Sequence, residues 1–230
     1  THINHFFKVD NFARRVHTPV TNLPKIFREH ILLHEVKTAS LDVAYMQPLL
    51  LGKILEDNIG KNEFSNLINE GKDVYEMLQV RANLSSRKEA KKKFFEVLFS
   101  KPNEDLTQTF GGSKWIKWVN DYKRKEVKEN PRTNTKRHSN LAWLLQSAEV
   151  RIMYTLWKKL VKEDIVFVTV HDEVIVQYCD VARVELYFNK ILSAEFSEFR
   201  LNIEAEEEII HPFQLSEYQA EEIVNKTVGN

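Results

Sequence analysis

One cysteine, Cys179, stands in 230 residues, so no intrachain disulfide framework can hold this fold. That suits a reducing compartment such as the cytoplasm, with an organelle as the alternative. No run of about 18 apolar residues occurs, so no membrane-spanning helix is expected. The opening residues Thr1 to Phe7 lack a secretory pattern and begin without Met, the expectation being a chain cut from a longer one. Glycine and proline are scarce, six of each, which excludes collagen-like and low-complexity classes and predicts long, uninterrupted elements. Net charge is absent too, with 33 Lys and Arg against 33 Asp and Glu.

What is present is an apolar share of 43%, enough for one large domain or two small ones with a real core. The zero net charge conceals an asymmetry. Residues 81–140 hold 16 Lys and Arg against 7 Asp and Glu, leaving 17 against 26 elsewhere. A basic block in an acidic frame suits a polyanion partner; a solvated helical face is the plainer reading.

The chain divides by pattern. A turn-like stretch covers 17–24, and the centre of 32–43 reads as a strand ending near Asp42. Leu50, Leu51, Ile54 and Leu55 predict a helix over 47–58, and 64–78 is helical with an interruption at Gly71. Ser85 and Ser86 cap a helix running to Phe99, stopped by Lys101-Pro102. Gly111-Gly112 breaks the chain before Trp115, and 123–136 is charged with a turn at Asn130-Pro131. A long helix spans 140–162 on a stripe of Leu144, Leu145, Ala148, Ile152 and Leu156. Two β-branched runs, 165–170 and 174–178, flank His171-Asp172-Glu173 and predict a hairpin. A helix over 184–196 and a last strand over 201–205 follow. The acidic run 206–208 is expected to be solvated. About four strands with several long helices give an α+β domain with an antiparallel sheet, the basic block forming a helical lobe within it.

Two constellations carry chemistry. Asp42 and Asp172-Glu173 stand at strand ends, and hard divalent cations such as Mg²⁺ take one or two carboxylates plus substrate phosphates. Two such ions can clamp the attacking and leaving oxygens of a phosphoryl transfer. An acidic hairpin turn has a plain structural reading as well, but here it splits a run otherwise suited to burial. On the helix 86–99, Arg87, Lys91 and Phe95 follow one another at intervals of four and share a face. Two cations one turn apart suit successive phosphates, and an aromatic one turn further suits a sugar or base. An ordinary basic amphipathic helix is the alternative.

In order, Asp42-Val43-Ala44-Tyr45-Met46-Gln47, then Arg87-x₃-Lys91-x₃-Phe95-x₃-Phe99, then Val170-His171-Asp172-Glu173-Val174 resemble the three polymerase motifs of family A DNA polymerases. Arg15 to Leu23, the segment Phe64-x₆-Gly71-Lys72-Asp73-Val74, and Gln146-Ser147-Ala148 resemble the flanking stretches. The resemblance spans roughly residues 14–210. It implies an antiparallel palm sheet with a shortened helical fingers lobe, divided as 1–80, 81–140 and 141–230. It also implies template-directed addition of dNTPs to a primer with two Mg²⁺ ions, Mn²⁺ being a substitute.

The implied roles follow residue by residue. Asp42 and Asp172 would hold the metals, with the Val43 carbonyl as a further ligand and Glu173 as a third acid nearby. Arg87 and Lys91 would hold the triphosphate, Phe95 would pack on the sugar, and Phe99 would lie by the templating pair. Arg15, Asn22, Gln146 and His171 would contact primer-template DNA. The sequence departs from the family at Gln47, where Glu is usual, and at Phe99, where Tyr is usual. Gln47, which the resemblance places with the nucleotide-binding residues, keeps bulk and loses charge, which leaves selectivity between deoxy- and ribonucleotides open. Tyr75 replaces a phosphate-binding His, and Glu96 and Ser100 replace Gly. Thumb and exonuclease segments are lacking, so a fragment, a chain served by a separate subunit, or a minimal phage- or plasmid-like enzyme of low processivity is expected. Alternatives are a catalytically impaired DNA-binding relative and a primer-making or RNA polymerase on the same palm.

Overall fold

The computed structural model describes residues 6–109 and 111–205. The acidic run 206–208 lies outside them. A short hairpin of β1 (Lys8–Val9) and β2 (Val16–His17) opens the chain, followed by α1 (Lys25–Arg28). The strands β3 (Leu32–Leu33) and β4 (Val36–Val43) lead into α2 (Met46–Ile59), α3 (Glu63–Asn69), α4 (Val74–Arg81) and α5 (Arg87–Phe99). Next come α6 (Glu104–Thr109), α7 (Lys114–Arg124) and the 23-residue α8 (Asn140–Lys162). The chain closes with β5 (Phe167–Val170), β6 (Glu173–Gln177), α9 (Val181–Ser193) and β7 (Leu201–Ala205).

Five strands form one antiparallel sheet. The order is β3-β4-β6-β5, and β7 pairs with β4 on the side that β3 occupies further back. The predicted hairpin is β5–β6, but its turn is only His171-Asp172, because Val170 pairs with Glu173. Glu173 therefore belongs to the strand. The β-branched run makes this register: Val174 and Val176 turn to one face and are fully buried. The predicted strand count was three short among the described residues, since β1, β2 and β3 are each only two residues long and give no periodic signal.

The helices follow local chemistry. Asn62 and Ser65 form a reciprocal capping box at the start of α3. Asp73 caps α4 by accepting from the Tyr75 and Glu76 amides at 2.8 and 3.3 Å, and Ser86 caps α5. Gly52 in α2 permits close approach of α3, because a Cβ there would lie 2.9 Å from Ile68 Cγ1.

One sheet face presents Leu41, Val43, Val174 and Val176 to a core that continues through Leu156, Val184 and Phe188 to Phe94 and Trp115. Lys123 is an exception to the solvated reading of the charged stretch: it is buried, its Nζ donates to the Val97 carbonyl and, at 2.9 Å, to the Ser100 carbonyl, and burial lowers its pKa to about 8. It satisfies carbonyls that the end of α5 would otherwise leave without donors. Among the described residues, no helix is long and apolar enough to cross a membrane.

Candidate active site

The other sheet face is polar, and register explains why. Asp42 pairs with Glu173 on one side and with Asn202 on the other, so the three side chains share a face. Glu204, opposite Ser40, extends the row. Cations from the segment before β3 neutralise part of this charge: Arg28 bonds Glu173, and Lys25 Nζ lies 2.5 Å from Glu204. These residues line a hollow of about 410 Å³.

Asp42 and Asp172 have no such cation among the described residues. Burial, then repulsion from Asp172 and Glu173, raises the Asp42 pKa to about 7, against a hydrogen bond from Asn202. Burial, then repulsion from Glu149, raises Asp172 to about 7. Carboxylates pressed together away from solvent resist ionisation, and a hard cation relieves that cost. No group of three His, Cys, Asp or Glu side chains converges as a metal cage among the described residues. Two carboxylates suffice for Mg²⁺ when a substrate phosphate completes the shell, so the donor set fits.

Both aspartates open onto a cleft of about 430 Å³, which Arg87, Lys91 and Phe95 of α5 also line, together with Val43, Gln47 and Arg200. The predicted face of α5 and the two strand ends thus meet in one cavity. Phe99 packs against Phe95 with the rings tilted by 30° and their centroids 5.7 Å apart. Arg87 Nε donates to Asp73 at 2.6 Å and its Nη2 to the Tyr45 hydroxyl at 2.7 Å, so Asp73 both caps α4 and orients Arg87. The guanidinium lies 5.1 Å from the Tyr75 ring, and Lys91 Nζ lies 5.9 Å from it. Tyr75 is buried and supplies an aromatic face to both cations.

A carboxylate that the sequence did not single out lies beneath the cleft. Glu149 of α8 is 2% exposed, and both its oxygens accept from Arg15 Nη2 at 2.7 Å. Gln47 Nε2 also donates to it at 2.5 Å. Arg15 is therefore engaged inside the fold, and Gln47 Oε1 is buried without a partner among the described residues. Gln146, one turn earlier on α8, is half-buried, and Asn22 is exposed. His171 occupies the left-handed region (φ 58°) at the hairpin turn, its ring edge-on to His17 at 6.4 Å. Burial, then the charges of Arg15, His17 and Arg28, lowers its pKa to about 4, which keeps the ring neutral at pH 7.

Two outcomes follow. Because Asp42 and Asp172 titrate near 7 in the fold and near 3.8 unfolded, the folded chain holds protons that the unfolded chain has released. Metal-free stability therefore falls as pH rises from about 4 to about 7. Asp42→Asn flattens that fall in thermal melts run across this range; equal slopes in both proteins would contradict the account. Separately, Glu149→Ala strands Arg15 in a largely buried setting, and urea titration should show a loss of about 3 kcal/mol or more.

No protein-family model matches the sequence, and no curated protein does. Among solved structures, the polymerase (POL) domain of Pol1 from M. smegmatis, in complex with DNA primer-template and dNTP, is similar. The TM-score is 0.62 at 12% identity, and the match covers 87% of this chain and 47% of that one. The present chain thus spans about half the length of that structure. The likeness is one of fold: this α+β chain has an architecture shared with a DNA polymerase domain.

Proposed function

We propose that this chain is a template-directed DNA polymerase that adds dNTPs to a primer 3′ end by nucleotidyl transfer. The observation that carries the reading is the single cleft with two unneutralised aspartates on the sheet side and Arg87, Lys91 and Phe95 facing it from α5. The fold shared with a polymerase domain supports it.

In this reading Asp42, Asp172 and the Val43 carbonyl hold Mg²⁺. When bound, the cation neutralises phosphate charge and lowers the pKa of the attacking hydroxyl. The protein's own task is positioning and charge stabilisation. Lys91 and Arg87 meet the triphosphate, with Asp73 and Tyr45 fixing the guanidinium plane. Phe95 packs against the sugar, backed by Phe99. His171, neutral at pH 7, sits beside the primer end without adding charge to the site. Asn22 and Gln146 face the primer-template. Arg15, held by Glu149, acts from beneath by fixing Gln47. The basic segment 81–140 serves as the fingers lobe and grips DNA backbone without reading sequence. The palm, taken as segments 1–80 and 141–230, contains the sheet strands β3 to β7 among its described residues.

One observation favours the impaired DNA-binding alternative: Arg87 is already paired with Asp73. Primer extension on a recessed duplex with Mg²⁺ and dNTPs separates the two. The polymerase reading predicts extension, reduced on the order of 1,000-fold in Asp42→Ala and Asp172→Ala. DNA binding without extension by the intact chain would establish the alternative. Preference for rNTPs over dNTPs would move the assignment to a primer-making enzyme.

A further inference from the structure

Arg200 is placed by the last strand, not by any motif. Leu201 pairs with Val43 and Asn202 with Asp42, and the Ala44 amide donates to the Arg200 carbonyl at 2.9 Å. This sets Arg200 beside the point where the chain leaves β4 for α2, and its side chain lines the cleft that holds Asp42, Asp172, Arg87 and Lys91. It is exposed, and among the described residues no carboxylate forms an ion pair with it. Its guanidinium lies 6.0 Å from the centroid of the Tyr45 ring, and the same ring lies 5.7 Å from the Arg87 guanidinium. Tyr45 occupies the left-handed region (φ 62°), a conformation disfavoured for an aromatic residue, so the surrounding structure over-determines it.

Cations from two different elements therefore flank one tyrosine at the mouth of the cleft. Their states differ. Arg87 is ion-paired with Asp73, whereas Arg200 has no ion pair among the described residues. Three cations with only Asp73 to balance them among the described residues favour an anion that brings several negative oxygens, and a guanidinium suits phosphate through paired N–H donors. We propose that Arg200 binds the polyphosphate of the incoming nucleotide, completing with Arg87 and Lys91 a three-cation cradle. The inference rests on the polymerase reading for the identity of the nucleotide.

Calorimetric titration of dATP and of dAMP into the full chain bound to primer-template tests this, with Arg200→Ala and Arg200→Lys alongside. The expected result is dATP affinity about 10-fold weaker in Arg200→Ala and partly restored in Arg200→Lys, with dAMP affinity unchanged and melting temperature unaltered. Equal dATP affinity in Arg200→Ala and the unaltered chain would overturn the proposal, as would an equal loss for dAMP. Primer extension in parallel keeps the two claims apart. An Arg200 effect on dATP without any extension would refute the polymerase reading and leave the polyphosphate contact standing. Extension with no Arg200 effect would refute the contact alone.

Discussion

Burial of Asp42 and Asp172 among other carboxylates is the constraint that the rest of the structure answers. Antiparallel register forces it. Once Val174 and Val176 are committed to the core, Glu173 must share a face with Asp42, and the two-residue turn brings Asp172 to the same end. Arg28 and Lys25 quench Glu173 and Glu204 from one side. The charge left over concentrates on two aspartates at the mouth of a cleft, and burial makes that charge expensive. In the proposed function, a cation and a polyphosphate would turn that cost into binding.

The opposing wall is built with the same economy. Asp73 spends one oxygen on the α4 amides and the other on Arg87, so helix capping and guanidinium orientation are one interaction. Buried Lys123 closes the far end of α5 by satisfying its last carbonyls. The helix that presents Arg87, Lys91 and Phe95 is thus anchored at both termini. Beneath the cleft, Arg15, Glu149 and Gln47 form a buried polar network that joins the N-terminal segment, α2 and α8. Such a network is sensitive to the loss of any member.

Much of this was legible in the residues because local chemistry and global fold agree. Ser86 marks the start of α5 and Phe99 its end, as predicted. The β-branched runs declare the hairpin, and spacing alone puts Arg87, Lys91 and Phe95 on one face. What was not legible depends on contacts distant in sequence. Glu149 reads as one more helical acid until Arg15, 134 residues earlier, is brought against it. Arg200 sits in an unremarkable Phe199-Arg200 step, and only the pairing of β7 with β4 delivers it to the cleft. Lys123 looks solvated among its charged neighbours, yet the open carbonyls of α5 draw it inward. The hairpin β1–β2 and the two-residue β3 carry too few residues for any period to show.

The central claim is that this cleft joins nucleotides under the direction of a template. Supplying the four dNTPs one at a time to primers whose next template base is A, C, G or T tests it most directly. The account predicts insertion of the complementary nucleotide in each case, dependent on Asp42 and Asp172. Insertion indifferent to the template base, or insertion that survives loss of either aspartate, would contradict it.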